Sequence, residues 1–448
     1  MISTSVLFLF LAGIVFLGFI LNSLFSKIKI AGILPLMLIG LLIGPIFKFV
    51  STGPTSTIIE LSPIITALAI SFILFDVGLN MNFSKLRQVL SSATKFSFIT
   101  VIVSGLICSA AAVLISVFVF HWNIIIAFMF GFAIAGPSTI IVPVLAKISK
   151  ISEELKTILL YEAIATDIVT LIIPLILSNF LCKTATNLCS ITSTSVIFLV
   201  FNTIVNSLVL AALLAFFWLF ILNKFREYSK EYMWMLTMTM VLATYGLSQV
   251  FGFNGAITVF IFGLVFSNIG TGLKEGSVFF KYFSLDHDIT HIRNYQKEIV
   301  FFVSTFFFLY LGLLFQIPSS YNLILIMIGI AVLFSFLILG IRRIFIPLLK
   351  TYMSKDKEAN KIEHSFINFD IARGLSPAII ATIPLSLGLN IPGFVDQIFF
   401  IILITNVVST IGIFLTYKED KLKNSDISIG QKPDNIDNNS PNTAIKTK

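Results

Sequence analysis

Charged side chains are rare inside the long apolar stretches of this chain, and those that occur there could bind ions. Only 12% of the residues are charged, whereas 57% are hydrophobic. A charge at bilayer depth costs a few kcal/mol even on a lenient insertion scale, so such a residue should pair with another or line a cavity. The bases clearly inside these stretches, away from their ends, are Arg342, Arg343 and Arg373, and the candidate acids are Glu60, Asp76, Glu162, Asp167 and Asp370.

Glu162 and Asp167 lie on one apolar stretch but at different predicted depths. Counted at 1.5 Å per residue from the predicted cytoplasmic end, Glu162 lies about 10 Å and Asp167 about 18 Å into the membrane. Arg342 and Arg343 lie about 10 Å from the cytoplasmic end of their own stretch. We therefore predict a buried ion pair between Glu162 and either Arg343 or Arg342. The alternative for an unpaired arginine is that its side chain extends to the cytoplasmic surface.

Asp167 remains near the midplane as a carboxylate without an obvious dedicated partner. A buried carboxylate can be neutralised by a proton or by a metal cation, so the two would compete for one site. Hard alkali cations prefer oxygen ligands. Hydroxyl oxygens are offered by Thr166, directly before Asp167, and by Ser138 and Thr139 on the preceding apolar stretch.

The stretches that carry these residues are long enough to be membrane-spanning helices. A span needs about twenty mostly apolar residues to cross about 30 Å of hydrocarbon. The mean hydropathy of +1.00 is well above that of soluble globular proteins. The sequence therefore predicts an all-α polytopic membrane protein with about thirteen spans, near 4–25, 30–49, 57–79, 93–120, 123–146, 156–181, 193–223, 232–252, 254–273, 297–316, 321–349, 363–389 and 392–417.

Lysine and arginine alternate between the predicted loops. Loops after odd-numbered spans are rich in these residues, whereas loops after even-numbered spans contain only Lys48 and Lys183. Because basic loops remain in the cytoplasm, the amino terminus is expected outside and the carboxyl terminus inside. Topology thus explains the net charge of +8 without nucleic-acid binding. Residues 1–417 form the predicted membrane domain, and the polar residues 418–448 are predicted to be a disordered cytoplasmic tail.

Similar segments recur seven spans apart. Ile39–Gly44 in the second span resembles Phe262–Ser267 in the ninth, and Leu74–Leu79 in the third resembles Phe308–Leu313 in the tenth. Since seven is odd, equivalent helices run in opposite directions across the membrane. The sequence therefore predicts inverted-topology repeats.

Two spans that are also seven apart, the fifth and the twelfth, are interrupted. Gly136 and Pro137 break the fifth span, and Gly374 and Pro377 break the twelfth. A pair of interrupted helices in inverted repeats is typical of the central site of a transporter, because helix ends and freed backbone groups can face an ion there. Arg373, beside the second break, could balance Asp370 three residues earlier or add positive field near Asp167.

These features resemble the monovalent cation/proton antiporter superfamily, in particular the archaeal-type sodium/proton exchangers with a cation/proton exchanger transmembrane domain. The segment Leu160–Asp167 is similar to the family's motif of a glutamate followed five positions later by the ion-binding aspartate. The resemblance covers nearly the whole chain. Further similarities are Leu74–Leu79, Gly246–Asn268, Phe301–Leu313 and the Arg-Gly element at Arg373 and Gly374.

The resemblance implies that Asp167 binds the transported cation or proton and that Glu162 pairs with an arginine of the eleventh span. It also implies the sodium/proton antiporter fold, with two broken crossing helices, a dimerisation half and a six-helix ion-carrying half. The chain departs from many relatives in having Thr166 in place of asparagine and Ala135–Pro137 in place of Thr-Asp-Pro. Both departures bear on which cation is bound.

The leading hypothesis is an antiporter that exchanges protons for sodium across the plasma membrane, with potassium as the alternative cation. One transport carboxylate predicts electroneutral exchange of one proton for one cation. An organic-anion symporter or a membrane sensor on a similar fold is less favoured, because Gly136, Pro137, Ser138 and Pro377 form a small, ion-sized set. An enzyme is not expected, since no nucleophile and base lie at a matched depth. Neither a cofactor nor a resident metal is expected, and a homodimer is implied by the resemblance.

Overall fold

The computed structural model is helical throughout the part of the chain that it describes. That part comprises residues 33–48, 61–80, 93–138, 151–185, 193–224, 232–271, 286–317, 320–349, 357–387 and 389–430, with single residues at 13, 16, 20 and 353. Its regular structure consists of α-helices and one π-helical turn at Leu42–Ile46. This confirms the predicted all-α class.

Thirteen α-helices lie in the described residues. They are α1 (Ile33–Leu41), α2 (Ser62–Asn80), α3 (Ala93–Phe118), α4 (Ile124–Ala133), α5 (Glu153–Ala185), α6 (Ser193–Lys224), α7 (Met233–Val250), α8 (Gly255–Thr271), α9 (Asp286–Leu314), α10 (Tyr321–Leu349), α11 (Lys357–Phe369), α12 (Leu375–Ser386) and α13 (Phe394–Gly430). Every predicted span after the first contains at least one of them, and the first lies almost entirely outside the described residues.

Six segments of these helices are long and apolar enough to cross a membrane. Their outer faces expose large apolar side chains such as Phe336 and Ile344 on α10, as a lipid-facing helix should. The six segments are Ser62–Asn80, Ser97–Phe118, Val205–Lys224, Ile289–Leu314, Tyr321–Leu349 and Phe394–Leu415.

Among the helices that extend beyond their predicted spans, α9 and α13 do so furthest. α9 begins at Asp286, before the predicted start at 297, and α13 continues to Gly430, past the predicted end at 417. Extending an existing helix adds one hydrogen bond per ordered residue, and neither extension contains proline or an internal glycine. The boundary of the predicted tail at 418 therefore differs from the end of the helix, and residues 431–448 lie outside the described part.

The helices form two bundles. The scaffold bundle consists of α1, α2 and α6 to α9, which pack on one another, and the crossing bundle consists of α3 to α5 and α10 to α13. The rings of Phe75, Phe262 and Phe266 pack on one another in the core of the scaffold bundle. The bundles meet chiefly where α12 packs against α2. Each bundle thus combines helices from both repeats.

Pairs of glycines show the inverted repeat. α1 packs against α9 where Gly40 faces Gly312, and α2 packs against α8 where Gly78 faces Gly263. A Cβ atom added to any of the four would overlap the backbone of the partner helix. In the repeat, Gly40 corresponds to Gly263 and Gly78 corresponds to Gly312. The contact between Gly40 and Gly312 therefore corresponds to the contact between Gly263 and Gly78. The structure therefore confirms the predicted inverted topology.

Candidate functional site

The two interrupted helices touch each other at their unwound segments. α4 ends at Ala133 and is followed by non-helical residues 134–138, whereas residues 370–374 separate α11 from α12. The backbone N–H of Ser138 donates a hydrogen bond of 3.0 Å to the carbonyl of Ala372. The structure thereby confirms the predicted crossing of two broken helices.

Both interruptions begin a few residues before the glycines and prolines from which they were predicted. α4 has already ended before Gly136, and the second interruption starts at Asp370. Pro377 lies in the first turn of α12, where backbone N–H groups have no partner within the helix, so the missing N–H of proline costs no hydrogen bond. The predicted break of the twelfth span is therefore present, and it ends at Gly374, directly before the helical turn that contains Pro377.

Arg373 links the two unwound segments. Its Nε donates to the carbonyl of Ile134 at 2.6 Å and its Nη2 to the carbonyl of Ala135 at 3.3 Å. These carbonyls follow the carboxyl-terminal end of α4, where the helix dipole favours a positive charge. Asn406 Nδ2 in turn donates to the carbonyl of Arg373 at 2.6 Å. The hydrogen bonds of the Arg373 guanidinium go to neither Asp370 nor Asp167, the two carboxylates considered from the sequence.

A buried cluster of three charged side chains connects α10, α5 and the second unwound segment. Arg342 binds both carboxylate oxygens of Glu162, and its Nη2 lies 2.9 Å from Glu162 Oε2 and 2.8 Å from Asp370 Oδ2. Its Nε donates to the carbonyl of Ile367 at 3.1 Å. All three charged residues are at most 4% exposed.

Arg342 is therefore the partner of Glu162, out of the two arginines considered. Its neighbour Arg343 is exposed on the outer face of α10. The sequence did not predict that Asp370 belongs to this cluster. Asp370 and Glu162 are far apart along the chain, so their common partner Arg342 cannot be recognised from spacing.

Asp167 is buried on α5 with only 7% of its surface exposed. Its Oδ1 accepts a hydrogen bond from the hydroxyl of Ser376, which lies in the first turn of α12 and is 3% exposed. The expectation that Asp167 has no dedicated partner is therefore wrong. Ser376 was missed from the sequence, where its only signal is its position directly after the second interruption.

The predicted oxygen ligands lie around the same part of α5. Thr166 packs against Gly136, because a Cβ atom at Gly136 would lie 2.7 Å from Thr166 Cβ. The Thr166 hydroxyl donates to the carbonyl of Ala163 at 3.0 Å, which leaves its lone pairs as acceptors. Ser138 is buried at the crossing.

The remaining candidates lie away from this site or cannot be placed. Asp76 belongs to α2 of the scaffold bundle and is half-buried. Thr139 and Glu60 lie outside the described residues.

The described charges at the crossing do not cancel. Three carboxylates, on Glu162, Asp167 and Asp370, accompany two guanidinium groups, on Arg342 and Arg373, so full ionisation leaves one net negative charge. Arg342 binds Glu162 and Asp370. Asp167 Oδ1 accepts a hydrogen bond from the neutral hydroxyl of Ser376. A proton or a monovalent cation at Asp167 would neutralise the cluster.

Comparison with solved structures shows the same fold in an archaeal protein. The chain is similar to the structure of the sodium proton antiporter MjNhaP1 from Methanocaldococcus jannaschii at pH 8, with 19% identity and a TM-score of 0.64 over 94% of this chain and 97% of that chain. An electron-microscopy structure of MjNhaP1 gives 19% identity and a TM-score of 0.63 over 96% of this chain and 100% of that chain.

Comparison of the sequence shows the family. No curated protein matches the chain. Residues 9–418 match the family described as "Sodium/hydrogen exchanger, transmembrane", which covers almost the whole of the predicted membrane domain. The protein belongs to the sodium/hydrogen exchanger family and is therefore a membrane antiporter rather than an enzyme.

Proposed function

We propose that this protein exchanges protons for sodium ions across the plasma membrane, with Asp167 carrying each ion in turn. The observation that supports the proposal is the burial of Asp167 on α5 at the crossing, where its Oδ1 accepts the hydroxyl of Ser376 from the first turn of α12. An ionised carboxylate at this depth is costly. A proton and a cation would each neutralise it, so the two ions compete for one site.

This competition couples the movement of protons to the movement of cations. Movement of the ionised, empty site through the membrane is disfavoured by desolvation, whereas the protonated or sodium-loaded site is neutral. The site would then cross only when loaded, and each cycle would exchange one proton for one cation. We therefore propose electroneutral exchange.

The surrounding residues have separate roles in this proposal. Thr166, Ser138 and Thr139 supply oxygen ligands to the cation, since hard cations prefer hydroxyl and carbonyl oxygens. Arg342 neutralises Glu162 and Asp370 and holds α5 against the second interrupted helix. Arg373 maintains the crossing through the carbonyls that follow α4.

Sodium is the cation that we propose. The family description names sodium, and MjNhaP1 is named as a sodium proton antiporter. We further propose that the amino terminus lies outside, that the carboxyl terminus lies in the cytoplasm and that the protein forms a homodimer.

The test is exchange in vesicles that contain the purified protein. A transmembrane pH gradient quenches a pH-sensitive dye, and sodium, potassium and lithium are added in turn. Sodium should dissipate the gradient, and Asp167→Asn should abolish the response because an amide cannot exchange a proton for a cation. If Asp167→Asn exchanged as fast as the parent protein, the proposed carrier would be wrong.

A matched control is Asp396→Asn. Asp396 is a buried carboxylate on α13 whose Oδ1 accepts the backbone N–H of Gln316 at 2.8 Å, and an asparagine oxygen could accept the same bond. Its exchange rate should remain near that of the parent. A membrane potential set with a potassium ionophore should leave the sodium-driven rate unchanged, and a strong dependence on potential would refute electroneutral exchange.

A further inference from the structure

Ser376 differs from the other hydroxyl residues on the helices that form the site. Thr166 on α5 and Thr382 and Ser386 on α12 each donate to a carbonyl three residues earlier in their own helix. Ser376 donates instead across the bundle to a side chain on α5, Asp167. This hydrogen bond therefore joins α12 to α5, whereas hydroxyl groups in membrane helices ordinarily donate to a carbonyl of their own helix.

The unwound segment explains why Ser376 is available. The carbonyl three residues before it belongs to Arg373, which lies outside α12 and accepts a hydrogen bond from Asn406. The first turn of α12 also has no side-chain cap. Ser376 is thereby left to face Asp167 in a buried setting, with 3% of its surface exposed.

A hydroxyl at this position has chemistry that suits both states of the carrier. It contains one hydrogen-bond donor and two lone pairs, and its hydrogen can rotate about the Cβ–Oγ bond while the oxygen stays in place. Beside an ionised carboxylate the hydroxyl donates. Beside a bound cation it would turn its hydrogen away and present a lone pair.

The two oxygens are also close enough to share one ion. Ser376 Oγ and Asp167 Oδ1 are in hydrogen-bond contact. Oxygen ligands bind Ca²⁺, which has a similar radius to Na⁺, at about 2.3–2.6 Å. A cation of this size can therefore bind both oxygens after a small separation of the two side chains.

We propose that Ser376 is a cation ligand that determines ion preference. Its hydroxyl donates to Asp167 when the site is ionised and empty, and it coordinates the cation together with Asp167 when the site is loaded. The proposal rests on the proposed antiport function and adds a ligand from the second interrupted helix. Because the Asp167–Ser376 pair spans the two helices, its spacing would favour cations of one size.

The test compares Ser376→Ala with Ser376→Thr in the vesicle assay. Loss of a ligand oxygen worth about 1.5 kcal/mol should raise the apparent KM for sodium about tenfold, and it should change the ratio of the KM values for lithium and sodium. Ser376→Thr retains the oxygen and should retain the parent ratio. Ser386→Ala is the matched control, since it removes a hydroxyl from the same helix away from Asp167, and its KM values should not change.

A second measurement does not require transport. Sodium that binds the folded protein raises its melting temperature in detergent, and Ser376→Ala should need about ten times more sodium for the same rise. An unchanged KM and sodium response in Ser376→Ala would overturn the proposal. So would a lower melting temperature with an unchanged lithium to sodium ratio, since that result means a structural contact only. If the parent protein itself exchanged none of the three cations, the proposed function would fail rather than this assignment alone.

Discussion

Adjacent arginines on α10 have different environments because a helix turns by about 100° per residue. Arg342 faces the interior and binds Glu162 and Asp370, whereas Arg343 is exposed. Depth in the membrane is almost equal for the two and does not distinguish them. The rotation of α10 about its axis decides which one enters the buried cluster.

Removal of Arg342 should destabilise the protein strongly. Arg342→Met would leave two buried carboxylates without a counter-charge, and breaking a buried pair in this way costs about 3–5 kcal/mol. Arg343→Met is the matched control and should change the free energy of unfolding by less than about 0.5 kcal/mol. Both values can be measured by SDS titration in mixed micelles.

A rescue experiment separates lost charge balance from lost packing. Neutralising both carboxylates with Glu162→Gln and Asp370→Asn should recover part of the stability lost in Arg342→Met, because neither partner of Arg342 then carries an unpaired buried charge. Equal losses for Arg342→Met and Arg343→Met would contradict the assignment of the partner.

At the scale of elements, the unwound segment after α4 lies directly against α5. Gly136 provides this close approach, since a Cβ atom there would lie 2.7 Å from Thr166 Cβ and 2.8 Å from Thr166 Oγ1. Thr166 directly precedes Asp167. The position of the crossing relative to the carrier therefore depends on a residue without a side chain.

Gly136→Ala should separate the crossing from α5. Overpacking of this kind costs about 1–3 kcal/mol, and displacement of the ligands should lower the exchange rate at least about tenfold. Gly246→Ala on α7 is the matched control, because a Cβ atom there meets nothing within 4 Å. It should retain activity and gain up to about 1 kcal/mol of stability from helix propensity. An active, stable Gly136→Ala protein would disprove the close packing described for this segment.

At the scale of the whole molecule, the repeat builds a framework from two kinds of contact. Glycine pairs bring the backbones of α1 and α9, and of α2 and α8, together in the scaffold bundle. The crossing bundle is joined through hydrogen bonds and buried charges instead. The bundles share few contacts besides those of α12. This separation suits relative movement of one bundle against the other.

The proposed orientation can be tested with two cysteines. Lys48 and Lys224 are both exposed at helix ends, and the distribution of basic loops predicts that they lie on opposite sides of the membrane. In a background with Cys108, Cys182 and Cys189 replaced by alanine, an impermeant thiol reagent should label Lys48→Cys in intact cells. It should label Lys224→Cys only after the cells are permeabilised. The opposite pattern would invert the topology.

The sequence by itself determined the membrane class, the approximate spans, the repeat and the small set of buried charges. Hydropathy and the cost of burying charge are properties of each segment of chain, so they can be assessed before any contact is known. The glutamate and aspartate on the sixth span are prominent for the same reason. Helix ends were less predictable, because α9 and α13 extend through polar residues that a hydropathy pattern excludes.

Only the tertiary structure decided which side chains meet. Ser376 and Asp167 are separated by 209 residues, and Arg342 and Glu162 by 180. Their contacts depend on the rotation of each helix about its axis and on the path of two unwound segments, and one residue of rotation replaces Arg342 with Arg343. Asp167 could thus be identified from the sequence as the carrier candidate. Its hydroxyl partner Ser376 depends on how α5 and α12 pack together.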